Sequence, residues 1–210
     1  MPKPEINRRP RICLVCEGYE EEAYINALIG KGLWCNYRFK VVNAKGAGNV
    51  TARFQNEIIA DTCDAVLMFC DTDKKPFDEY LAIKSRLRAI LGQKSKIENL
   101  IIYANPCSMQ IILLHFGEKP VLLKTQSKHV NADIIEKLTG VSGYKAGREG
   151  QIDTICGKIT RDNYALMKKR ATAINRPDTV PGSSNFSTFI KYFEEQNDNW
   201  LKNTRAVTSD

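Results

Sequence analysis

A chain of 210 residues, 43% hydrophobic and 26% charged, has an ordinary globular composition that excludes a disordered chain, a collagen-like fibre and a coiled coil. At this length it can bury a sizeable core without disulfides or other staples. Thirty-one Lys and Arg against 24 Asp and Glu leave a formal net charge of +7, which favours an anionic partner.

Met1 to Arg11 is polar, basic and Pro-containing, so no signal peptide is expected. Arg11 to Cys16 reads as a short buried strand, apolar and bounded by charge. Its Cys13 and Cys16 have CxxC spacing, but residues three apart on a strand face opposite ways, so buried thiols are expected rather than a shared metal. Glu20 to Ile29 has helical spacing, with Ala23, Tyr24, Ala27 and Leu28 as an apolar stripe and acids in the first turn that complement the helix dipole. Tyr37 to Val42 reads as a second strand. Lys45-Gly46-Ala47-Gly48-Asn49 is a glycine-rich loop before a helix from about Val50 to Ala60. Ala65 to Cys70 is the cleanest strand, without an internal charge, and it stops at Asp71-Thr72-Asp73. Phe77 to Leu91 has helical spacing, and Asn99 to Ala104 is a fourth strand.

Asn105-Pro106 begins a turn, Ser108 to Phe116 reads as an apolar helix, and Asn131 to Leu138 as a short one. Tyr144 to Gly150 is a polar loop. Ile152 to Asn175 reads as one long helix whose Lys168-Lys169-Arg170 cluster suits a solvated face. Pro177 to Asn185 is a loop, Ser187 to Glu195 a last helix, and the tail after Trp200 is expected to fray. No apolar stretch approaches the length of a membrane span. The odd count of seven cysteines, several inside apolar runs, suits reduced thiols, and a cytoplasmic location is expected.

Strand and helix alternate through the first half, which argues for an α/β fold with a parallel sheet flanked by helices over 1–104 and a mainly helical portion, 105–210, packed on it. In such sheets ligands bind beyond the carboxyl ends of the strands. Glu17 and the D-x-D of Asp71 and Asp73 fall at that edge. Two or three carboxylates there suit a hard cation such as Mg²⁺, which would polarise a phosphoryl oxygen and acidify a bound water. Asp71 equally suits a cap of the following turn.

Three segments carry a resemblance: L-V-C-E-G-x-x-E-E-x-Y-I-x-A-L from Leu14 to Leu28, C-D-T-D from Cys70 to Asp73, and N-P-C-x-x-x-x-x-L-L-H-F from Asn105 to Phe116. Gly143-Tyr144-Lys145 and Gly182-Ser183-Ser184-Asn185 continue it. In this order the motifs resemble the RloB-like family, which is assigned to the Toprim fold. The resemblance implies a Toprim-like sheet and an Mg²⁺- or Mn²⁺-dependent nuclease that cleaves DNA or RNA, tRNA included, in anti-phage defence. Abortive infection and an ATPase partner encoded nearby would belong with it. Glu17, Asp71 and Asp73 match the family's acidic, metal-holding residues, and His115 matches its histidine. On composition alone, His115 in I-I-L-L-H-F suits a satisfied core histidine. A homo-oligomer is left open.

One departure falls on the motif. Where the family has an acid two positions after the N-P-C turn, this chain has Met109, and its tryptophan is Ile111. That substitution favours a second reading, a catalytically silent nucleic-acid-binding or regulatory protein. Nucleotidyl transfer is a third. Lys45, in its glycine loop, and Lys145 and Arg148, in theirs, are the expected phosphate-binding residues.

Overall fold

A computed structural model describes residues 9–72, 78–93, 96–124, 128–195 and 199–208. Strands β1 (Arg11–Cys16), β2 (Arg38–Asn43), β3 (Ala65–Asp71) and β4 (Ile101–Ala104) form one parallel sheet in the order β2-β1-β3-β4. The two central strands, β1 and β3, are buried almost throughout. Covered on both faces, they carry unbroken apolar runs rather than alternation. Helices α1 (Tyr19–Gly30), α2 (Ala47–Ala60) and α3 (Asp78–Leu91) follow the first three strands. The architecture is thus α/β, a parallel sheet flanked by helices with a mainly helical C-terminal part, and it fits a Toprim-like layout.

Beyond β4 come α4 (Met109–Ile112), a 3-10 turn over Leu113–His115, α5 (Lys128–Thr139), α6 (Glu149–Gly157), α7 (Arg161–Ala173), α8 (Phe186–Glu194) and α9 (Asn199–Thr208). The single long helix expected over 152–175 is two helices. The first ends at Gly157, and Thr160 caps the second: its side chain accepts from the Asn163 N–H at 3.2 Å, while Asn163 Oδ1 accepts from the Thr160 N–H at 2.8 Å. This reciprocal pair satisfies two donors that a helix start leaves orphaned. The tail, expected to fray after Trp200, is helical as far as Thr208, the last described residue. Trp200 and Leu201 are buried, and Trp200 stacks on Tyr192 at 5.2 Å between ring centroids and donates to the Tyr37 hydroxyl. Helix α2 begins at Ala47, three residues before the expected start, so Gly48 lies in its first turn.

The outer edge of β4 is covered by the turn before α8. Ser184 bridges Ala104, and the Asn185 amide accepts from the Tyr103 N–H and donates to the Ile101 carbonyl. One side chain thereby satisfies polar groups that an edge strand would leave open. Buried apolar residues of both halves, from Ile12 to Leu201, form one continuous core. Among the described residues no helix is long and apolar enough to cross a membrane.

Candidate active site at the carboxyl edge of the sheet

Parallel pairing aligns the strand ends. Cys16 stands opposite Phe69 of β3 and Asn43 of β2, so the residue after β1 and the last residue of β3 emerge side by side. Glu17 is fixed from both flanks: its N–H donates to the Phe69 carbonyl at 2.9 Å, and its carbonyl accepts from the Gly46 N–H at 2.7 Å. Its carboxylate reaches across to β3, where Oε2 accepts from the Asp71 N–H at 3.2 Å. The two acids thus meet at the edge, both half-buried. Asp73 lies outside the described residues.

Two further acids join them from α1. Glu21 is buried at 3% exposure, and its Oε2 accepts from the Gly18 N–H at 2.7 Å. Ser108, wholly buried just before α4, holds this group together. Its N–H donates to Asp71 Oδ1 at 2.7 Å, and its Oγ lies 2.7 Å from Glu20 Oε1 and 2.5 Å from Glu21 Oε1. A serine hydroxyl has one proton to give. With two carboxyl groups against the same oxygen, one of them must bring a proton of its own. Glu21 is that group: burial, reinforced by the charge of Glu20, pushes its pKa up to about 7. The Tyr144 hydroxyl donates to the other oxygen of Glu20.

The 142–148 loop lies across this edge and divides the space above it. One cavity of about 550 Å³ is walled by Glu20, Asp71, Met109, Tyr144 and Lys145. Another of about 460 Å³ is walled by Glu17, Glu20, Asp71, Gly46 and Arg148. Lys145 and Arg148, both exposed, therefore flank the acids, one on each side. Lys45 stays out of both walls. It is exposed at a positive φ of 60°, its N–H donating to Asn43 Oδ1, and the Gly46 amide beside it is already taken by Glu17. Met109 is buried and lines the first cavity with Asp71 and Glu20, so this position falls on the site itself.

The structure does not bring His115 to this edge. It is 2% exposed, lines neither cavity, and sits between α1 and α7. Asn163 Oδ1, 3.2 Å from its Nδ1, can only accept, so Nδ1 carries the proton and Nε2 accepts from the Tyr24 hydroxyl at 2.9 Å. Burial lowers its pKa to about 4. The reading from composition, a satisfied core histidine, describes this environment.

Sequence reasoning gave no role to Glu20, Glu21, Tyr144 and Ser108, although Glu21 and Tyr144 fall within the segments that carry the resemblance. Glu20 was legible only as an acid at a helix start. The signal for more was the nearness of Glu20 and Glu21 to Glu17, three and four positions on. Nothing in the sequence marks Ser108, whose place depends on the fold.

Glu17 and Asp71 offer oxygen only, the preference of a hard divalent cation, and such an ion keeps several waters, so a pair of carboxylates is enough; no third acid among the described residues closes on them as a compact ligand group. The charge balance points the same way. Glu17, Glu20 and Asp71 lie at one edge of a chain whose net charge is positive, beside a fourth acid, Glu21, whose pKa burial and the charge of Glu20 push up to about 7. Comparison with models of protein families, with curated proteins and with solved structures finds no match.

Proposed function

We propose that this chain is a metal-dependent nuclease that hydrolyses phosphodiester bonds of DNA or RNA, acting in the cytoplasm in anti-phage defence. The observation that carries the reading is the meeting of Glu17 and Asp71 at adjacent strand ends, with Lys145 and Arg148 facing them across two cavities. Glu17, Asp71 and Asp73 would hold Mg²⁺ or Mn²⁺. When bound, the ion supplies Lewis acidity toward a phosphoryl oxygen and lowers the pKa of a coordinated water.

The chain's own residues divide the remaining work. Lys145 and Arg148 bind the phosphates on either side of the scissile bond, and Lys45 adds a cation at the rim beside Gly46. Glu20, which belongs to both cavity walls, takes a proton from the attacking water or returns one to the leaving oxygen. Ser108 and Glu21 stand behind it: after Glu20 has given a proton to the leaving oxygen, the Ser108 hydroxyl passes its proton to Glu20 and takes one from protonated Glu21, whereas a proton that Glu20 takes from water leaves to solvent. Tyr144 fixes its carboxylate. A nucleic-acid partner also suits the net charge of +7. A defence ATPase and self-association are further partners of this reading.

Met109 favours a second reading, a catalytically silent nucleic-acid-binding or regulatory partner of such an ATPase, because an apolar side chain occupies the cavity wall beside Asp71. Sequencing of cellular RNA and DNA ends after expression separates the two. The nuclease reading expects new ends with the wild type and none with Asp71→Ala. No new ends with the wild type, but ends with Met109→Glu, would select the silent protein.

A further inference from the structure

A second group of ligand-bearing side chains lies toward the opposite end of the sheet. Cys13 is four residues before Glu17 on β1, about 13 Å away at the usual strand rise. It faces α2, where it meets Glu57, whereas Cys16 on the other face is set against Glu21 and Glu22 of α1. Cys63 sits, partly exposed, in the turn between α2 and β3. Among the described residues, Sγ of Cys13, Sγ of Cys63 and a carboxylate oxygen of Glu57 form a group in which all three atoms lie within 4.8 Å of one another.

The three ligands come from three elements held by independent bonds. Asp64, next to Cys63, accepts from the Arg11 N–H at 2.7 Å and donates its own N–H to the Arg11 carbonyl at 2.6 Å, which pins the turn to the start of β1. Lys40 of β2, the register partner of Cys13, pairs with Glu57 Oε2 at 2.5 Å and orients that carboxylate. Charge also closes. Two thiolates and a carboxylate carry three negative charges, which a divalent ion and the Lys40 ammonium together neutralise. Without an ion, burial and the neighbouring Glu57 and Cys63 hold the Cys13 thiol protonated, so it is an inert thiol rather than a nucleophile.

We propose that Cys13, Glu57 and Cys63 bind a thiophilic divalent cation of the Zn²⁺ type, with water completing a tetrahedron. Two sulfurs select a softer ion than the oxygen-only carboxyl edge does. The site ties β1, α2 and the turn into β3 together, so the ion acts as a clamp on the sheet, independent of any chemistry at the other edge.

Co²⁺ titration of the reduced, metal-stripped full chain tests this, because cobalt bound by thiolate shows a charge-transfer band in the near ultraviolet. One equivalent should produce the band, and Zn²⁺ should abolish it. Cys63→Ser should remove it, and Glu57→Gln should weaken binding by about tenfold or more, since even partners outside the ligand shell are worth that much. Asp71→Asn should leave it unchanged, which separates this site from the carboxyl edge. Zn²⁺ should raise the Tm of the wild type and not that of Cys63→Ser, whose partly exposed position preserves the fold. A band that persists in Cys63→Ser overturns the proposal. So does a Cys13–Cys63 disulfide formed with peroxide in a protein that shows no cobalt band.

Discussion

Glu21 has the most to lose at neutral pH. Its carboxyl is buried against Ser108 and Gly18, with Glu20 close by, and its pKa rises from 4.5 to about 7. The native state therefore holds a proton that the unfolded chain releases above pH 4.5. Stability falls as pH rises from 4.5 through 7, and the full cost is present above 7. Glu21→Gln keeps the shape and the contacts to Ser108 and Gly18 without that charge. It should raise unfolding stability at pH 8 by roughly 1–3 kcal/mol and change little at pH 4, as measured by urea denaturation. If Glu20 is reset through this pair, the same variant should slow catalysis, the trade expected where a site is kept at the expense of stability. The convergence of Glu17 and Asp71 was legible because parallel strands bring their carboxyl ends to one edge. The role of Ser108 was not, because it depends on where α4 begins in space.

At the scale of elements, α1, the 3-10 turn of Leu113–His115 and α7 are joined by one chain of bonds from Tyr24 through His115 to Asn163. Asn163 also belongs to the cap that starts α7, so the break between α6 and α7 and the seat of His115 have a common origin. With the histidine pKa lowered from 6.5 to about 4 by burial, the unfolded chain binds the proton more readily. The contribution is complete above pH 6.5 and is lost as pH falls toward 4. It amounts to about 3 kcal/mol. His115→Gln should flatten the difference in unfolding free energy between pH 7 and pH 5 relative to the wild type; an unchanged difference would mean that the imidazole is not held neutral. Helical periodicity continues through Lys158 and Ile159, which hid the break, yet Thr160-x-x-Asn163 was a readable start signal. The final helix was missed for another reason: the tail after Trp200 is largely polar, and the burial of Trp200 against Tyr37 and Tyr192, with Leu201 and Thr204 beside it, depends on the fold.

Across the whole molecule, charge is divided by position. The chain is positive overall, while the carboxyl edge gathers Glu17, Glu20, Glu21 and Asp71 between the exposed Lys145 and Arg148. A polyanion drawn by the surface would be repelled at that edge unless a cation lay between its phosphates and the acids. The sheet was legible because its two central strands are continuous apolar runs ending in acids. The thiol site at the other end was not, because Cys13, Glu57 and Cys63 are joined only when α2 folds back on β1. The claim on which the functional reading rests is that the carboxyl edge holds a hard cation. Electron paramagnetic resonance of Mn²⁺ added to the full chain measures it directly. Bound Mn²⁺ that Mg²⁺ displaces, and that disappears in Asp71→Asn and Glu17→Gln while Cys63→Ser retains it, is the expected result. Mn²⁺ that stays free in the wild type, or that binds Asp71→Asn as well as the wild type, would contradict it.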